Sequence, residues 1–176
     1  RLRGEVLRSA VDAGGGLRVL ATDRAVLAAP PPEALTAVVE AARRTFALTV
    51  LDLPRAPSPA PVLAVCEEVL VVLPATTRAA AAACGVLDGF LNTTELGDEA
   101  PPVRLVVRDV GSGADPHDVA HAVGSPLAGV LRAERDLDPG LERGEGLPVG
   151  RRSAVRVFAE RWVRDTLTGP GRAGVA

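Results

Sequence analysis

The chain has 176 residues, enough for one domain around a single core, and its net charge of −2 gives no global electrostatic case for nucleic acid or an anionic membrane. Hydrophobic residues make up 47 % of the chain but aromatics only 2 %, so the core must be built from Ala, Val and Leu. All 20 basic residues are Arg, which excludes any lysine-dependent step within these residues.

In chain order, residues 1–13 are expected to be helical and to stop at Gly14-Gly15-Gly16. Leu17 to Ala21 reads as a short apolar strand. Pro30-Pro31-Pro32 breaks the chain and opens a helix to about Thr45, because proline suits the first helical turn. Leu35, Val38, Val39 and Ala42 share one face of that helix. Ala47 to Leu53 is a near-continuous apolar run, the pattern of a strand covered on both faces.

Pro57, Pro59 and Pro61 mark a loop, followed by a short helix to about Cys66. Val69 to Leu73 is a further buried-strand run, and Thr76 is a suitable N-cap for an Ala-rich helix from Thr77 to about Leu91. Asn92 to Pro102 reads as a polar loop and Val103 to Val107 as a strand. Asp115 or Pro116 starts a helix that ends at Gly124, and Pro126 to Leu131 is the last strand-like run. Residues 133–150 are loop-rich, with one helical turn near Leu141. A helix from about Ser153 to Leu167 closes the domain at residue 168, and the Gly/Pro-rich tail 169–176 is expected to be disordered. This alternation predicts an α/β fold with a mostly parallel sheet, with strands near 17–21, 47–53, 69–73, 103–107 and 127–131 and at least four of them in one sheet.

The sharpest candidate for chemistry is Thr49-Val50-Leu51-Asp52-Leu53-Pro54-Arg55, a buried strand ending in a carboxylate. Ligands of open α/β sheets sit at the carboxyl ends of strands. A lone Asp there can hold Mg²⁺ through water, since Mg²⁺ keeps much of its hydration shell; the plainer reading is an Asp capping the next loop. His117 and His121 lie one helical turn apart, but no third ligand accompanies them, and a solvated face is the simpler account. Asp109, Gly111 and Gly113 form a Gly-rich turn whose amides either approach a ligand or merely connect two elements. Ser9 and Ser58 have no His/Asp arrangement for nucleophilic chemistry, and Cys66 and Cys84 match no metal or redox spacing. The closing helix carries Val155, Phe158, Trp162 and Val163 on one side, with Arg151, Arg152, Arg156, Arg161 and Arg164 around it. It is either a helix packed on the sheet with a solvated Arg face or a basic surface for membrane, DNA or a partner.

The order of segments resembles the ParA/MinD class of deviant-Walker ATPases, in particular its actinobacterial CpaE-like branch of septum-site-determining proteins. Gly16 to Leu20 is similar to the strand this family places before its Walker B helix, and Leu51 to Arg55 to its Walker B/switch II stretch. Glu67 to Pro74 with Thr77-Arg78 resembles the next strand and its following helix. Val103 to Arg108, Gly124 to Leu131 and Leu141 to Gly144 resemble the later strands and the closing loop.

The resemblance implies a P-loop NTPase-like three-layer sandwich whose N-terminal part, with the Gly-rich phosphate loop, precedes Arg1; an opening at Arg1 with no Met agrees with that expectation. It implies ATP and Mg²⁺ as cofactors of the full-length protein, with slow hydrolysis that switches a homodimer, and neither binding nor activity for these 176 residues alone. Asp52 is then the Walker B-like residue that orients a Mg²⁺-bound water. Pro54 and Arg108 are the nucleotide-binding candidates, and Arg108 stands near where MinD-like members carry an adenine-reading Asn. Arg55 and several prolines replace the small residues usual after that Asp. The partners implied are cell-division or pilus/secretion proteins, and the location is the cytoplasm, including its membrane surface. No run of ~18 apolar residues and no secretory leader is evident. The alternative function is a non-catalytic scaffold that keeps the fold and a docking surface. A dinucleotide-dependent oxidoreductase is disfavoured because no G-x-G-x-x-G follows a strand.

Overall fold

The computed structural model describes residues 5, 7, 17–21, 30–53, 60–91, 100–111, 113–134, 137–145, 147 and 150–168. By its contacts the chain divides into two compact units, Arg1–Cys66 with Thr93–Ala100, and Glu67–Asn92 with Pro101–Ala176.

The first unit contains helix α1 (Pro32–Arg43) and the single turn α2 (Ala60–Leu63). Pro32 opens α1 with its φ already helical, Glu33 sits at the positive end of the helix dipole and Arg43 at the negative end. Thr45 Oγ1 donates to the Ala41 carbonyl at 2.7 Å just past the last turn. Ala41 and Ala42 are buried with Leu7, against Val38 and Phe46. α2 buries Val62 and Leu63. Of the helix expected over 1–13, Glu5 and Leu7 are described and both are helical.

The strands expected at 17–21 and 47–53 are not formed: the described residues there carry no strand. Leu17 is 62 % exposed and Val50 70 %. An apolar run has the composition of a buried strand, but its backbone becomes one only where a neighbour completes the hydrogen-bond ladder.

The second unit holds β1 (Val69–Pro74), α3 (Thr77–Leu91), β2 (Val103–Arg108), α4 (Pro116–Val123), β3 (Leu127–Leu131), α5 (Leu137–Glu142) and α6 (Ala154–Thr168). The three strands form a parallel sheet in the order β1-β2-β3. Each parallel connection contains a helix, α3 and then α4, as parallel pairing requires. A parallel α/β sheet is therefore present, but among the described residues it holds three of the five anticipated strands, short of the four expected in one sheet, because the runs at 17–21 and 47–53 find no strand partner.

Local signals set the helix ends. Thr76 Oγ1 accepts from the Ala79 amide at 3.2 Å and caps α3. Asp115 Oδ1 accepts from the His117 amide at 2.7 Å, Pro116 takes the first position of α4, and Gly124 ends it at φ 74°. Ser153 Oγ accepts from the Arg156 amide at 3.2 Å and caps α6.

Leu73, Leu105 and Val107 project from one sheet face onto Ala80 and Ala83 of α3 and Val119 and Ala120 of α4. The small alanines let the helices approach closely, and each fully buried Leu or Val contributes roughly 1.5–3 kcal/mol. Val106, on the opposite face of β2, is also buried, as a central strand covered on both faces requires.

The β2–β3 register runs Leu105↔Leu127 and then Val106↔Gly129, so Ala128 is an extra, bulged residue. The bulge reverses the alternation. Leu127 packs into the α3/α4 core, while Gly129 faces the other side and meets Phe158 of α6. Helices α3 and α4 thus cover one face, and α6 covers the other at β3, while Val72 of β1 on that second face stays 65 % exposed. Among the described residues no helix is long and apolar enough to cross a membrane.

Candidate functional site

The carboxyl ends of β1 and β2 gather the polar groups that a ligand of a parallel sheet would meet. β1 ends at Pro74 and passes through Ala75 to the Thr76 cap. The Ala75 amide donates to Arg108 O and its carbonyl accepts from the Ala114 amide, both at 2.8 Å. Gly113 runs so close to this turn that a β-carbon on it would overlap the Ala75 carbonyl oxygen. The Gly-rich turn after β2 is thereby explained by backbone packing: Gly113 admits Ala75, and Gly111, at φ 76°, donates its amide to Asp109 Oδ1 at 2.8 Å.

Arg108 closes β2 with an exposed side chain, and its Nη1 lies 3.7 Å from Asp138 Oδ1 at the start of α5. The two side chains are 46 % and 76 % exposed, so the pair contributes only about 0–1 kcal/mol and an arriving anion can displace Asp138.

Asp52 belongs to the first unit and Arg108 to the second. The buried strand expected to end in Asp52 is absent, and the Asp52 side chain is exposed. Pro54 lies outside the described residues, as do Arg55, Ser9, Ser58 and the tail 169–176. His117 and His121 are both exposed, and no group of three or more metal-ligating side chains occurs among the described residues.

Both cysteines are free thiols. Burial pushes the Cys66 thiol up, against a smaller opposing pull from Arg43, and its Sγ donates to Val62 O at 3.3 Å. On a surface turn, Arg143 grips Glu145 through two hydrogen bonds of 2.6 and 2.9 Å, which holds that carboxyl below its ordinary value.

α6 has the two faces its sequence announced. Val155, Phe158, Trp162 and Val163 are half-buried, whereas Arg151, Arg152, Arg156, Arg161 and Arg164 are exposed. Part of that basic face is neutralised along the helix by Arg156–Glu160 at 2.7 Å and Arg161–Asp165 at 3.6 Å. The Trp162 Nε1 is buried with no acceptor among the described residues.

Beside α6 runs a groove of about 1190 Å³, bounded by β3, by the amino-terminal ends of β1 and β2 and by the apolar side of the helix. Sequence reasoning did not single out Arg132, and it placed Arg152 only among the arginines around the closing helix; the fold brings both to this groove. Gly129 was the one legible signal, since an isolated glycine in a strand marks a bulge or a close approach.

No family model matches the chain, and neither a curated protein nor a solved structure is significantly similar to it.

Proposed function

We propose that this chain is part of a positioning or assembly factor of the CpaE/MinD-like kind, serving septum placement or pilus/secretion machinery. In this reading a P-loop-type sandwich switches its homodimer with ATP and Mg²⁺. The observation that carries it is the second unit. There, three parallel strands follow one another in chain order through helical crossovers, with the Thr76 cap after β1 and Arg108 at the end of β2. These are segments on which the resemblance rests, and the carboxyl ends of such strands are where α/β sheets take ligands.

Asp52 would orient a Mg²⁺-bound water, Pro54 would shape the stretch after it, and Arg108 would leave Asp138 for the nucleotide. Phosphate recognition would come from a Gly-rich, Lys-bearing loop N-terminal to Arg1, because helix-terminal amides and a lysine carry that task in P-loop folds. The second reading is a non-catalytic scaffold with the same partners. The exposed Asp52 side chain, standing off any strand, favours it.

Calorimetric titration of the full gene product with Mg²⁺ and ATP separates the two. Saturable micromolar binding, with a dimer that forms only with nucleotide, supports the switch. No heat of binding up to ~1 mM, an affinity worth only about 4 kcal/mol, leaves the scaffold.

A further inference from the structure

We propose that the groove between β3 and α6 receives an extended acidic peptide of a partner protein, added as a further strand to the open edge of the sheet.

β3 is a terminal strand in the order β1-β2-β3, so along one side its backbone has no strand partner among the described residues. An open edge of this kind presents N–H and C=O groups ready to pair with an incoming chain. Here the edge borders a groove of about 1190 Å³, whose wall includes Phe158 and Trp162 of α6. An edge strand flanked by the apolar side of a helix is the arrangement by which β-strand addition works: main-chain bonds supply affinity and the flanking wall reads alternate side chains. The size also suits a peptide, since small-molecule clefts run to roughly 300–1,000 Å³.

Charge selects the occupant. Within the groove Arg104 is held by Glu68 at 3.1 Å and Arg161 by Asp165 at 3.6 Å. Arg132 and Arg152 also line it, and neither has an acidic partner among the described residues. Glu67 lines the groove as well, so four arginines (Arg104, Arg132, Arg152 and Arg161) there stand against three acids (Glu67, Glu68 and Asp165), and the net charge facing the groove is positive. A second copy of this chain pairing edge to edge would bring the same two cations and meet repulsion, whereas an acidic strand supplies the missing counter-charge. The proposal stands apart from the nucleotide reading, because neither Asp52 nor Arg108 lines the groove.

Trp162 is the single tryptophan of the chain and lines the groove, so its fluorescence reports occupancy directly. The full chain is titrated with an eight-residue peptide of alternating Val and Glu, with its Val/Lys counterpart, and with the Val/Glu peptide carrying Pro at two central positions. The expected result is saturable quenching or a spectral shift with the Val/Glu peptide, at least tenfold weaker with the Lys peptide and with the Pro peptide, which cannot donate to the strand edge. R132E and R152E, both at exposed positions, are each expected to weaken binding at least threefold with an unchanged melting curve. Equal response to the Glu and Lys peptides, equal affinity of the Pro peptide, or no response at millimolar peptide overturns the proposal. Concentration-dependent dimerisation that R152E leaves intact overturns it in favour of a second copy.

Discussion

A β-carbon placed on Gly129 would lie 2.7 Å from Phe158 Cε2, so the strand and the helix that covers it meet where the strand has no side chain. The bulge at Ala128 is what turns Gly129 toward α6. Gly129→Ala is expected to overpack this contact and to cost about 1–3 kcal/mol in denaturant unfolding. Phe158→Leu in the same chain should recover part of that loss, because a smaller side chain gives the new methyl room. A cost that stays the same in the double variant would show that the ring is not the obstacle.

Two other glycines are expected to behave in opposite ways. Gly85 sits within α3 and an added β-carbon meets nothing within 4 Å. Gly85→Ala should therefore stabilise by roughly 0.5–1 kcal/mol through helix propensity. Gly113→Ala would drive a methyl into the Ala75 carbonyl, which is itself tied to the Ala114 amide, and should destabilise by roughly 1–3 kcal/mol. Thermal melting of both variants checks the contrast, and a Gly113→Ala chain as stable as the parent would contradict the close approach.

The elements that were legible in the sequence are those whose signals are local. Asp115-Pro116 and Gly124 bracket α4 because a cap, a fixed φ and a left-handed stop each act within one turn. Val69 to Leu73 and Val103 to Val107 were readable as buried runs, and both found a parallel neighbour. Leu17 to Ala21 and Ala47 to Leu53 carry similar apolar composition, but a strand is a property of a pair, and neither run names its partner. The candidate at Asp52 depended on such a strand and was the less secure for it. The groove was hidden for a different reason: Arg132 and Arg152 converge only once the fold has placed the loop after β3 beside the start of α6.

The Cys66 thiol is raised by burial, with Arg43 opposing. A raised folded pKa means that the native state favours the neutral thiol. Its stabilising contribution is complete below the unfolded thiol pKa and is lost as pH rises through the higher folded value. Since the thiolate is the reactive form, iodoacetamide should label Cys66 more slowly in the native chain than in denaturant near the ordinary thiol pKa of about 8.5. Peptide mapping distinguishes it from Cys84. Equal rates in the two states would contradict the burial.

The nucleotide switch is tested most directly by Asp52→Asn in the full gene product, with Mg²⁺-dependent ATP binding and melting temperature measured on the same sample. Asn preserves shape and removes charge, and at an exposed side chain it should leave the melting temperature unchanged. The switch predicts that Mg²⁺-dependent binding falls at least tenfold, about 1.4 kcal/mol, because the carboxylate no longer orients the metal-bound water. Mg²⁺-dependent binding that survives the substitution unchanged, or a gene product that shows none to begin with, would contradict the account and leave the non-catalytic scaffold in its place.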